Sequence, residues 1–245
     1  MLRLSSGDVI SATNSLAKPY LPPLNSFSTW IEYVIRWANA PTRFPPQSLG
    51  HGFRNFESYG LTKEAIHVFK AMGSTTVAID YHIQGMPAGM TLGQISRART
   101  AIHQRLLLLP SVSELGETRI QISVYEACRT TALIYAIGVI YPIPNSFRPF
   151  QVLVTRLKRE IESGRFEQEA YLSDLLLWML VLGGIAAADK PERSWYSSRL
   201  RGFVKRWKIS EWEEVENKML SFLWLDSACG QGGRALLGNV LELAS

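Results

Sequence analysis

Leu176-Leu177-Trp178-Met179-Leu180-Val181-Leu182-Gly183-Gly184-Ile185-Ala186-Ala187 is the stretch on which the fold turns. Asp174 and Asp189 bound it, and no charge lies between them. A membrane-crossing helix needs about 20 apolar residues, more than this run supplies. The run therefore reads as a helix buried inside a protein core, apolar on every side. The second uncharged run, Thr130 to Phe147, is broken near its end by Pro142 and Pro144 and reads the same way. Two helices of this kind need partners on all faces, which predicts an all-α fold: an irregular multi-helix bundle or array with buried apolar helices.

The partners follow from periodicity. Residues 1–26 carry Pro19, Pro22 and Pro23 and predict a flexible or extended N-terminal segment. Phe27 to Ala40 places Phe27, Trp30, Ile31, Val34, Trp37 and Ala38 at helical spacing, and Pro41 stops it. Pro45, Pro46, Gly50 and Gly52 mark a loop over 41–60, the best candidate for an internal boundary in an otherwise single helical domain over 27–245. Leu61 to Met72 predicts a helix with Thr62 as N-cap and Gly73 just past its end. Ser74 to Gln84 is ambiguous. Thr75, Thr76, Val77, Ile79 and Tyr81 favour a strand, while Val77, Tyr81 and Gln84 fit one helix face. A lone strand would leave its backbone groups unpaired, which favours helix.

Further helices are expected over Thr91–Leu109 and Glu117–Tyr141, with Ile120, Val124, Ala127, Cys128, Thr131, Ile134 and Tyr135 on one stripe of the latter. Phe150–Glu162 with Gly164 as terminator, Tyr171–Ala188, Arg193–Trp207, Glu211–Leu225 and Gly233–Leu243 complete the set.

Composition is compatible with a large core: 245 residues, 47% hydrophobic and 19% charged. The net charge of +5 is mild for a nucleic-acid binder. Two cysteines give no disulfide framework and suit a reducing compartment. The first ten residues have no sustained apolar run of a signal peptide. Arg193, Arg199, Arg201, Lys205, Arg206 and Lys208 form a basic cluster followed by Glu211, Glu213, Glu214 and Glu216. That pattern reads first as a basic helix end beside an acidic helix start, and second as a patch for phosphate or an acidic partner.

Motifs for chemistry are sparse. There is no Gly-Lys pair for a phosphate loop and no Gly-x-Ser-x-Gly elbow. Gly230-Gln231-Gly232-Gly233 follows a helix and reads as a helix–helix turn. Gly183-Gly184 inside a helix costs roughly 2 kcal/mol against alanine, which points to close helix approach, a kink, or a ligand on the bare backbone. His51, His67, His82 and His103 form no His-Glu-x-x-His motif, and Asp80 and His82 share a face only in a strand. Cys128 and Cys229 lie in apolar helical contexts and read as inert thiols. Trp178 and Trp224 belong to the core, while Trp195, Trp207 and Trp212 either pack at its rim or line a ligand pocket or partner groove. No catalytic, cofactor-binding or metal-ligating residue is assigned.

Three segments, taken in order, carry a resemblance. They are Tyr125-Glu126-Ala127-Cys128-Arg129, the apolar run 176–187, and Phe222-Leu223-Trp224-Leu225-Asp226-Ser227-Ala228-Cys229. Together they resemble the C-terminal part of the fungal-specific transcription factor regulatory domain. Ile102-His103-Gln104-Arg105-Leu106-Leu107, Leu133-Ile134-Tyr135 with Gly138-Val139, and the Pro142/Pro144 stop extend the resemblance over residues 91–238. Gly230 departs from it, since such proteins often carry an acidic residue after the cysteine. A zinc binuclear cluster normally precedes the domain, and two cysteines cannot build one. The resemblance implies a nuclear, non-catalytic, cofactor-free domain. It would act through protein partners, self-association or a small-molecule effector, without sequence-specific DNA binding by this chain alone. A stand-alone helical interaction module no longer tied to transcription is the alternative. A helical enzyme with a pocket near Gly183, Gly184 and the tryptophans is the third reading.

Overall fold

The computed structural model describes residues 26–38, 49–86, 89–110, 118–164 and 166–242, and among these every regular element is helical. The expected lead-in over 1–25 and the proline-rich 41–48 lie outside the described residues.

The α-helices are α1 (Ser26–Ala38), α2 (Lys63–Ile83), α3 (Leu92–Leu108), α4 (Arg119–Tyr135) and α5 (Arg148–Gly164). They continue with α6 (Ser173–Ala186), α7 (Arg193–Trp207), α8 (Trp212–Met219) and α9 (Asp226–Glu242). Short 3-10 turns occupy Gly52–Tyr59, Phe166–Gln168 and Ala170–Leu172.

The all-apolar run becomes α6, and it is the hub. It packs against α4, α5, α7, α8 and α9, so its want of a polar face matches its want of a solvent face. Helices α1, α2 and α3 pack on one another, and α4 pairs with α5 as an antiparallel neighbour. Among the described residues, buried side chains from each of these α-helices form one apolar cluster. Phe53, from the described half of the 41–60 loop, is fully buried. Its ring meets those of Phe69, Trp178 and Phe222, tying the first helices to the hub.

Several boundaries differ from the sequence reading, each for a packing reason. Thr62 does cap α2, its hydroxyl accepting from the Ala65 N–H at 3.1 Å. Yet α2 does not stop at Gly73; it continues through the ambiguous segment to Ile83. Gly73 is a crossing point, where an added Cβ would lie 2.7 Å from the Leu49 carbonyl oxygen. Ser74 and Thr76 turn their hydroxyls onto the carbonyls of Lys70 and Met72, at 3.1 and 3.0 Å, so strand-prone residues sit in a helix with their polar atoms bonded.

Helix α4 ends at Tyr135 and widens into a π-helical turn over Ala136–Ile140. Pro142 disfavours helical geometry at Tyr141, which takes φ −127 and ψ 69. Helix α5 starts earlier than expected, with Pro149 in its first turn, where a missing N–H costs nothing. The expected helix over 211–225 shortens to α8, because Phe222, Leu223, Trp224 and Leu225 are all buried in a non-helical segment. The glycine cluster 230–233 is no turn: α9 starts at Asp226 and runs through it. Gly232 lets α9 approach Ile185 and Gly233 lets it approach the Trp212 and Trp224 rings, where larger residues would collide.

Candidate functional site

Helix α7 divides its faces. Tyr196, Leu200, Phe203 and Val204 turn inward. Ser198, Gly202 and Arg206, at four-residue steps, line one wall of an open cavity of about 300 Å³. Phe166, Leu176 and Phe203 give it an apolar floor, each buried, and Trp207, 43% exposed, stands at the rim. Gly202 has no packing explanation: a Cβ there meets no heavy atom within 4 Å. This is the opposite of Gly183 and Gly184, whose missing side chains are replaced by Tyr196 and Leu157 and by Leu236. The expected close helix approach at Gly183-Gly184 is therefore what the fold uses.

The cavity's charges are unequally matched. Arg199 Nη1 lies 2.8 Å from Glu167 Oε1, an ion pair with both partners partly exposed and of small net worth. Arg206 Nη1 donates to the Glu167 backbone carbonyl at 2.5 Å, and its guanidinium sits 5.8 Å from the Trp207 ring centroid. Among the described residues no carboxylate pairs with Arg206. Glu169 also lines the cavity.

Other members of the basic cluster serve the helix ends. Arg193 bonds the Gly184 carbonyl near the end of α6, and Lys205 and Arg206 occupy the last turn of α7. Glu213 and Glu214 sit in the first turn of α8, with Glu214 accepting from the Ser210 N–H at 3.2 Å. Of the three flanking tryptophans, Trp207 lines the cavity. Trp195 lies beneath Lys158 and Arg199, and Trp212 beneath Arg234 and against Trp224.

Tyr125, Glu126 and Arg129 form a latch. The Tyr125 hydroxyl donates to the Pro110 carbonyl at 2.8 Å, and Arg129 reaches the Leu106 and Leu107 carbonyls at the end of α3. Arg156 and Arg129 flank the buried Glu126 carboxylate. Cys128 beside them is wholly buried, which pushes its thiol well above the usual range; burial likewise pushes Cys229 up to about 12. Both are poor nucleophiles.

Sequence reading missed one carboxyl pair. Glu216 of α8 and Asp226 at the start of α9 line an acidic cavity of about 460 Å³ with Asp80 and Trp224. Desolvation, then the hydrogen bond to Asp226, raises Glu216, while the Arg234 hydrogen bond holds Asp226 low. Arg234 meets both Asp226 oxygens at 3.1 Å, and Gln84 donates to Asp80 at 2.9 Å, so these two acids are answered internally. Asp80 and His82 do not share a face, since the segment is helical. Among the described residues no three His, Cys, Asp or Glu side chains gather as a metal set. No helix there is long and apolar enough to cross a membrane.

Gly202, an isolated glycine within the α7 segment that the sequence reading passed over, is the one signal that could have pointed to the cavity. Phe166 and Glu167 gave none, because only the return of the chain from α5 to α6 brings them beneath α7. No family profile, curated protein or solved structure matches the chain.

Proposed function

We propose that the chain is a non-catalytic regulatory domain of the fungal transcription factor type, nuclear, and working by binding a small effector or a protein partner. The observation that supports it is the mutual packing of the three segments that carry the resemblance. Helix α4, with Tyr125 to Arg129, packs on α6; α6 packs on α9, which contains Cys229. The Trp178 indole N–H donates to the Leu223 carbonyl at 3.0 Å, joining the apolar run to the Phe222–Cys229 segment. Segments about fifty residues apart, each a plain apolar signature alone, thus form one packed centre. The cavity on α7 lies directly against that centre through Leu176, so an occupant touches the hub helix.

The test is to tether the chain to a heterologous DNA-binding domain in a fungal cell beside a reporter gene. A change in reporter output relative to the DNA-binding domain alone is expected, together with nuclear accumulation of a fluorescent fusion. Unchanged output, or an exclusively cytosolic pool, overturns the transcriptional reading. A sequence-selective DNA complex formed by the chain alone overturns the role as a purely regulatory half.

A further inference from the structure

We infer that the cavity between α6 and α7 binds a small organic anion with a flat apolar body, an aromatic carboxylate in class. The inference rests on the effector-binding reading above and names the ligand chemistry.

Four observations converge on it. The floor is apolar and buried, at Phe166, Leu176 and Phe203, yet the space above it opens to solvent. Such a surface gains by covering itself with a hydrophobic body. Gly202 keeps that space clear, since a larger residue there would project into the cavity rather than into a neighbour. Trp207 and Phe203, with ring centroids 6.1 Å apart and planes 34° from parallel, set aromatic surface along the cavity. A planar ring fits them best.

The charge decides the head group. Glu167 is engaged by Arg199, whereas Arg206 lends one donor to a backbone carbonyl and has no carboxylate partner among the described residues. That carbonyl bond and the Trp207 ring hold the guanidinium plane in place. A guanidinium has five N–H donors, so a bidentate face remains for a carboxylate. Residues 193–208 of α7 and its cap carry six basic side chains and no acid, and two of them, Arg199 and Arg206, line the cavity. A cavity of about 300 Å³ is at the small end of ligand sites and suits one or two fused rings.

The experiment is calorimetric titration of the whole chain with naphthalene-2-carboxylate, its neutral analogue 2-naphthalenemethanol and the cation 2-naphthylmethylammonium. The carboxylate is expected to bind one per chain with Kd below about 1 mM, and at least about tenfold more tightly than the alcohol or the cation. Arg206→Gln is expected to remove that preference, while Lys63→Gln, an exposed residue with the same loss of charge, leaves it intact. Gly202→Phe is expected to abolish binding with an unchanged helical spectrum. Absence of carboxylate binding overturns the inference. So does equal binding of the alcohol, tighter binding of the cation, or an Arg206→Gln variant that keeps the preference. A chain that binds naphthoate without altering the reporter overturns the regulatory reading alone. A chain that alters the reporter without binding naphthoate overturns the ligand class alone.

Discussion

His103 shows what burial does to a single side chain. It sits 3% exposed on the core face of α3, and desolvation brings its imidazole down to about 4 from 6.5. The folded state therefore holds it neutral, while the unfolded chain protonates it near the ordinary value. The unfolded state binds the extra proton between these values. Stability is full above about pH 6.5 and falls as pH drops towards about 4, by on the order of 3 kcal/mol from this residue. Urea melts of the wild type and His103→Leu at pH 7 and pH 4.5 check it. The stability difference between the two should move towards the variant at the lower pH; a constant difference would sink the assignment. Other groups titrate in both proteins and cancel in the comparison. The latch formed by Tyr125, Glu126 and Arg129 works at the same scale. Tyr125 and Arg129 reach backbone carbonyls at and just beyond the end of α3 that no sequence pattern pairs with them.

At the scale of elements, glycine is the most instructive residue. Gly73 looks like a stop because glycine commonly ends helices. In the fold it is a passage, because the chain at Leu49 lies against the bare backbone of α2. Gly73→Ala would raise intrinsic helix propensity by about 1 kcal/mol, so propensity alone predicts a more stable protein. The Leu49 carbonyl is backbone and cannot swing aside, so the substitution should instead destabilise by roughly 1–3 kcal/mol. Denaturant midpoints decide between the two signs. The same logic separates Gly232 and Gly233, which permit contact, from Gly202, which borders open space. A sequence window shows the glycine but not its neighbour across the fold. Helix existence was legible from hydrophobic period at α1, α3 and α5, and from the uncharged apolar run at α6. The ends were less so, as at α8, where burial of Phe222 to Leu225 replaced a helical turn by a non-helical crossing.

For the whole molecule the decisive contact is the aromatic cluster of Phe53, Phe69, Trp178 and Phe222. It joins a residue from a short 3-10 turn, one from α2, one from the hub and one from the crossing before α9. Backbone bonds from Gly50 N to Phe222 O at 2.5 Å and Gly52 N to Ser221 O at 2.8 Å run alongside. The two groups of helices should thus unfold together. Phe53→Ala is expected to cost about 3–5 kcal/mol and to speed hydrogen exchange in α2 and α6 alike. Faster exchange confined to α2 would mean that the first helices form a separable unit.

The sequence by itself determined the fold class. A long run with no charge on any side must be enclosed, and neighbouring runs with a helical apolar stripe are the partners that enclose it. It also determined the fate of both cysteines and of Trp178 and Trp224, since apolar context along the chain already implied burial. Only the tertiary structure decided the candidate site. Phe166 and Glu167 come from the link after α5, Leu176 from α6, and Gly202, Arg206 and Trp207 from α7. Their meeting depends on how α7 packs on α6, and that angle is set by the summed shapes of side chains such as Tyr196 filling the space over Gly183. Periodicity reports which face of a helix seeks burial. It does not report which other face ends beside an unmatched charge and an open floor, because that is a property of three elements placed together.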